Sequence, residues 1–145
     1  MSADAPDLSV TVTAEIADLH RFFVDWVTGT LPASEPAFEG GFLSRMDPAF
    51  RCIEPDGAVV SLQELAPSVR RAHGKNPAFS TSIHGVILCA TSAELVVATY
   101  EERQQNALSA SSPDNTRRAT AVFRVDPSAP RGLRWLHVQE TLLPG

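Results

Sequence analysis

The chain of 145 residues reads as an α+β fold, in which amino-terminal helices pack on one curved, mainly antiparallel sheet that curls around them. Three observations carry that reading. Four runs, Phe79–Ala90, Glu94–Gln105, Thr116–Val125 and Leu133–Leu143, are rich in β-branched and aromatic residues and have only turn-forming sequence between them. Strand-length runs that follow one another without intervening helices form an antiparallel meander. Two helical segments precede them, and a sheet that curls around helices makes a pocket.

The elements follow in order. From Thr13 to Leu31 apolar residues fall at Ile16, Leu19, Phe23, Trp26, Val27 and Leu31, with Phe22 beside them. Steps of three and four are the spacing of an amphipathic helix. Thr11 or Thr13 can cap its start, and Gly29 with Pro32 ends it. Residues 1–10, with Asp4 and Asp7, lack the basic start and apolar core of a signal peptide and read as a disordered tail, so that 11–145 form one domain. Phe38, Phe42, Met46 and Phe50 recur every fourth residue, which suggests a short helix near Glu39–Met46. Ala49–Glu54 and Ala58–Val60 read as a small hairpin about the Pro55-Asp56-Gly57 turn. Ser61-Leu62-Gln63-Glu64 is a capping box that opens a helix to about His73, stopped by Gly74, although Pro67 lies inside it. Leu108–Asn115 reads as a mobile hairpin loop.

Composition excludes several classes. A net charge of −5 and a pI near 5.3 leave no basic footprint, and Arg70–Arg71 and Arg117–Arg118 are pairs, not stripes, so nucleic acid is not an expected partner. The longest apolar stretch, Val86–Ala90, is far short of the roughly 20 residues a spanning helix needs, so no membrane segment and a cytoplasmic address are expected. Cys52 and Cys89 are far apart, with no CxxC and no His at ligand spacing, and read as small core residues. No Gly-rich phosphate loop, paired-His helix or acidic calcium loop appears, and no bound metal, nucleotide or other cofactor is expected. Ser61 is committed to its capping box and no Gly-x-Ser-x-Gly elbow exists, which disfavours hydrolase chemistry of that type.

Alternation along paired strands assigns the faces. If Ala90–Glu94 closes the first hairpin, Ile83, Gly85, Ile87 and Cys89 share a face with Leu95, Val97, Thr99 and Glu101. If Asp126–Gly132 closes the third, Ala119, Ala121, Phe123 and Val125 share a face with Leu133, Trp135, His137, Gln139 and Thr141, with Trp135 opposite Phe123. Joining these faces gives a concave wall that turns polar toward Glu101, Arg117, His137, Gln139 and Thr141 and is covered by Phe22–Trp26. Such a gradient is the usual recipe for a small-molecule pocket. The central register stays open. The other face, with His84, Val86, Leu88, Val96, Ala98, Tyr100, Val122, Leu136 and Val138, is too apolar to be left in water, and a homodimer packed sheet to sheet is expected.

Within that wall His137 is the candidate acid or base, with Glu101 as its carboxylate partner in the register that sets Glu101, Ala121 and His137 in a row. The structural alternatives are a hydrogen-bonded His137 filling the floor of the cone and a Glu101 linked to Arg103 or Arg117. Arg117 can clamp a carboxylate or stay solvated. Trp135, Phe23 and Trp26 can sandwich a flat ligand or belong to the core. Gln139 and Thr141 complete the polar end. His20 lies beside the apolar stripe within reach of the pocket rim, without a visible partner, and His73 is a favourable cation at a helix end.

The aromatic-faced helix, the Pro-Asp-Gly turn before a capped helix, Thr99-Tyr100-Glu101-Glu102, Arg117-Arg118-Ala119-Thr120-Ala121 and Trp135-Leu136-His137-Val138-Gln139-Glu140-Thr141 together resemble the NTF2-like superfamily, and within it the SnoaL-like and DUF4440-type domains. The resemblance covers about Thr13–Leu143. It implies a cone-shaped α+β fold with a pocket at its open end, frequently dimeric, in a superfamily of isomerases, cyclases, dehydratases, hydrolases and catalytically silent binding modules. A ketosteroid isomerase of this fold uses an Asp base with a Tyr and a protonated acid. Here Tyr100 is assigned to the outer face, which counts against that chemistry, and His137 with Glu101 supplies part of a dehydratase set. Three functions stay open: a module binding a small hydrophobic or amphipathic ligand, a cofactor-free isomerase, cyclase or dehydratase using His137 and Glu101, and a structural dimerisation module whose cone is filled by its own side chains.

Overall fold

In the computed structural model, which describes residues 7–145, the first helix, α1 (Leu8–Val27), begins one turn earlier than its threonines suggest. The Asp7 side chain accepts the Ser9 amide at 2.8 Å and caps it. Thr11 and Thr13 instead donate their hydroxyls back to Asp7 O and Ser9 O four residues before, as interior helical threonines do. Part of the expected tail, Leu8–Val10, is therefore helical, and residues 1–6 lie outside the described residues. Gly29, at φ +83, ends the helix as expected.

The short helix lies earlier than expected. Ser34 caps α2 (Glu35–Gly41), and a 3-10 turn, Leu43–Arg45, leads directly into strand β1 (Met46–Ile53). The four-residue recurrence of Phe38, Phe42, Met46 and Phe50 thus crosses three kinds of element. Its residues meet because all four are buried in one core, not because they share a helix face. Phe22 of α1 stacks on Phe42 at 6.0 Å between ring centroids and joins the two helices. The Pro55-Asp56-Gly57 turn returns the chain to β2 (Val59–Ser61). The capping box then opens α3 (Leu62–Arg71), which accommodates Pro67.

The four long runs are strands β3 (Ser80–Thr91), β4 (Leu95–Gln105), β5 (Asn115–Val125) and β6 (Leu133–Leu142). The six-stranded sheet has the order β2-β1-β6-β5-β4-β3, antiparallel throughout except for the parallel β1–β6 pair. It curves, unclosed, around α1. The 108–115 stretch is the β4–β5 connection, its base tied by Ala107 N to Pro113 O and Asn106 N to Asp114 Oδ1.

Face assignment is where the structure departs most from the sequence reading. On β4 the inner residues are Val96, Ala98, Tyr100 and Glu102, all buried, while Leu95, Val97, Thr99 and Glu101 face outward. Two bulges cause the rest. In β3, Gly85 and Val86 oppose Tyr100 alone, so Ile83 points inward before the bulge and Val86 and Leu88 after it. Ile87 is left 60% exposed on the convex side. In β6, Phe123 pairs with Trp135 but Val122 with His137, which makes Leu136 the extra residue. Trp135 therefore faces Phe123 inside the cone as expected, and beyond the bulge it is Val138 and Glu140 that point inward. His137, Gln139 and Thr141 stand on the convex face. Of the set expected to form an outer apolar surface, Val96, Ala98, Tyr100 and Val138 belong to the core and Val86 and Leu88 pack against it, while His84 and Val122 stay on the convex side in register with Glu101 and Val97.

Candidate functional site

The cone holds a cavity between α1, β1 and the inner face of the sheet. Ala98, Ala119 and Ala121 are packed into the core on the inner face of β4 and β5, each essentially inaccessible to solvent, and the space lies beyond them. That space is about 330 Å³. Leu19 and Phe23 of α1, Met46 and Phe50 of β1, and Trp135 and Val138 of β6 line its apolar part. Trp135 is held by its indole N–H, which donates to Glu15 Oε2 at 2.9 Å. Glu15, 1% exposed, also receives Arg45 at 2.6 Å and Arg131 at 3.2 Å. One buried carboxylate thereby joins α1, the 3-10 turn, the β5–β6 connection and the pocket wall.

The polar end is made by the next rows of the sheet. Tyr100, Ala119 and Glu140 form one row and Glu102, Arg117 and Leu142 the next. His20 comes down onto them from α1. Its Nδ1 lies 2.7 Å from Ile16 O, a contact only a ring N–H can make, so Nε2 is turned to Glu102 Oε1 at 3.5 Å. With Nδ1 a donor, the imidazole and Glu102 face each other across a single transferable proton. Burial pushes the His20 pKa down, but Glu102, the Ile16 carbonyl and Glu140 outweigh it and the net shift is up from 6.5. Burial pushes Glu102 the other way, yet His20, Gln104 and Arg117 hold it below the ordinary value. Gln104 Nε2 donates to Glu102 Oε2 at 2.9 Å.

A second carboxylate completes the cluster. Glu140 Oε2 is 3.4 Å from Arg117 Nη1, and its Oε1 is the acceptor for the Cys52 thiol at 3.8 Å. Burial and then the charge of Glu102 push the Glu140 pKa up against the pull of Arg117. Burial, with Glu140 and Glu54, pushes the Cys52 thiol to about 12, so it is no nucleophile near neutral pH. Tyr100 is 3% exposed and 5.5 Å from the His20 ring, with its pKa raised by burial and the two carboxylates.

Of the site residues expected from sequence, the structure brings Trp135, Phe23 and Arg117 to the cavity. Trp26 is a core residue, 2% exposed, donating its indole N–H to Val69 O at 2.7 Å and packing on Phe38. His137, Glu101, Gln139 and Thr141 are excluded by strand parity. Glu101 pairs with Arg103 and Arg118 on the convex side, which agrees with the structural alternative for Arg103, and it stands in register with Thr141, not with His137. The residues that sequence reasoning missed are Glu102, Glu140 and Tyr100. His20, expected near the rim with no visible partner, finds one in Glu102. Glu102 and Glu140 each sit one residue from a chosen candidate or on the opposite parity, so a one-residue shift of face would have found them.

No protein-family model matches the sequence, and no curated protein matches it. Solved structures do. An NTF2-like protein of unknown function from Pseudomonas aeruginosa is 25% identical, over 92% of this chain and 99% of that one, with a TM-score of 0.79. The hub of a CaMKII from S. rosetta is similar over 96% of this chain and 99% of its own at 14% identity, with a TM-score of 0.72. A ketosteroid isomerase-like protein from Erwinia carotovora atroseptica, 12% identical over 97% of this chain and 100% of its own, has a TM-score of 0.62.

Proposed function

Since the chain has the NTF2-like fold, we propose that it is a small-molecule-binding domain whose cone takes an apolar body and presents a polar head to His20, Glu102, Tyr100, Glu140 and Arg117. One observation carries the reading: a cavity of about 330 Å³ whose apolar walls end on buried, ionisable groups. Space for many water-sized groups counts against a structural module filled by its own side chains. A thermal-shift screen of small apolar alcohols, ketones and amines tests it. Compounds that fit should raise the melting temperature of the native chain, and Val138→Phe, which fills the cavity from β6, should abolish the shift while leaving the far-UV circular dichroism unchanged. Binding unaffected by Val138→Phe places the ligand elsewhere and overturns the reading.

The His20–Glu102 pair favours a second reading, a cofactor-free isomerase, cyclase or dehydratase in which this dyad replaces His137 and Glu101. An imidazole held by a backbone carbonyl and turned to a carboxylate can take a proton from a ligand and return it elsewhere. Deuterium exchange next to the carbonyl of cyclohexanone, followed by NMR, tests it; exchange no faster with the native chain than with His20→Ala removes this reading. The proposal includes a cytoplasmic protein, in which no helix among the described residues is long and apolar enough to cross a membrane. It also includes a homodimer through the convex face, where Ile87, Leu95 and Val97 are outward. A monomer at micromolar concentration in sedimentation refutes the dimer.

A further inference from the structure

Resting on the reading of the cone as a ligand pocket, we propose that its occupant is a small organic cation, an arylalkylamine whose ammonium group sits between Glu102 and Glu140 beside the Tyr100 hydroxyl. Hydrogen-bonding capacity at the polar end is out of balance. Two carboxylates bring four oxygens, each able to accept about two hydrogen bonds. One of these oxygens, Glu102 Oε2, has a close donor, Gln104 at 2.9 Å. Glu102 Oε1 meets His20 at 3.5 Å, Glu140 Oε2 meets Arg117 at 3.4 Å, and Glu140 Oε1 meets only a thiol at 3.8 Å. Arg117 also commits its Nε to Asn115 Oδ1 at 3.2 Å.

Tyr100 supplies an independent observation. The residue is 3% exposed and lines the cavity, and its hydroxyl, which forms no hydrogen bond to the described residues, is not one of the buried atoms and so opens to the cavity. A hydroxyl open to the cavity and unpaired by the protein is available to an atom of a ligand. An ammonium carries three donors and no acceptor, which is the complement of this set. Charge points the same way. Glu102 and Glu140, with Glu54 at the rim, bring three carboxyl groups to a space whose basic side chains are Arg117 and His20. A ligand carboxylate would add a further like charge to a desolvated site and be rejected. The aromatic rings of Phe23, Phe50, Tyr100 and Trp135 line the same space and suit both an aryl group and the flank of a cation.

The test is isothermal calorimetry of the intact chain at neutral pH with three probes of similar shape: 2-phenylethylamine, 2-phenylethanol and 3-phenylpropanoate. The amine should bind roughly tenfold or more tightly than the alcohol, as charge-assisted hydrogen bonds require, and the propanoate should not bind. Glu140→Gln should remove most of the amine's advantage over the alcohol; Glu102→Gln serves as a second variant, and the native series alone decides if neither folds. An alcohol or propanoate that binds as well as the amine overturns the cation assignment and leaves the pocket reading standing. If none of the three binds up to millimolar concentration, both fall together.

Discussion

Replacing Glu15 by Ala should be among the most damaging single changes in this chain, although nothing in its sequence context singles it out. Its carboxylate, 1% exposed, accepts N–H groups from Arg45, Arg131 and Trp135. The Arg131 side chain is 31% exposed and regains water when its partner is removed, so its contribution is small. Arg45 is 14% exposed and does not. Stranding one partner of a buried pair costs about 3–5 kcal/mol, a figure that already contains most of the roughly 1–3 kcal/mol for leaving the Trp135 N–H unpaired. For a chain of this size that is a fall of roughly 10–15 °C in melting temperature. Urea unfolding followed by tryptophan fluorescence measures it, with Trp135 itself reporting the loss of its partner. Glu15→Gln, which keeps one oxygen for the indole, should lose about half as much, and adding Arg45→Met to Glu15→Ala should recover part of the cost. A loss below about 1 kcal/mol for Glu15→Ala refutes the claim that this carboxylate holds α1 to the pocket wall.

Other outcomes follow from the same geometry. His20 should titrate above 6.5 by NMR and fall when Glu102 is changed to Gln. Because its folded pKa is raised, the stability it contributes is fully present below pH 6.5 and is lost as pH rises through the folded value; a titration at or below 6.5 rejects the dyad. His137→Ala and Glu101→Ala, both on the convex face, should each change stability by under about 1 kcal/mol and leave ligand binding intact. Loss of binding in either, seen by calorimetry, would overturn the face assignment. Gly85→Ala should cost about 1–2 kcal/mol in denaturant titration, since Gly85 sits at φ +61 in open space and the penalty is conformational alone. No measurable loss would mean that the β3 bulge tolerates a side chain and is not held by this glycine.

The element order was legible in the sequence because each element has its own local signal. Runs of β-branched residues separated by turns delimit four strands to within a residue or two, Ser61 and Glu64 mark a helix start through groups three residues apart, and Gly29 stops α1. The inside of the cone was not legible in the same way. Both sides of β4 alternate apolar residues, so Leu95, Val97 and Thr99 compete on equal terms with Val96, Ala98 and Tyr100, and pattern alone does not say which set the helix covers. Each bulge, at Gly85–Val86 and at Leu136, then reverses the parity downstream. That is why Trp135 was placed correctly and His137, two residues later, was not. The pairing of His20 with Glu102 joins residues of α1 and β4, and the Glu15 cluster joins α1 to Trp135 on the last strand. Such contacts are decided by how the helix lies across the curved sheet, a long-range packing outcome that no local periodicity encodes.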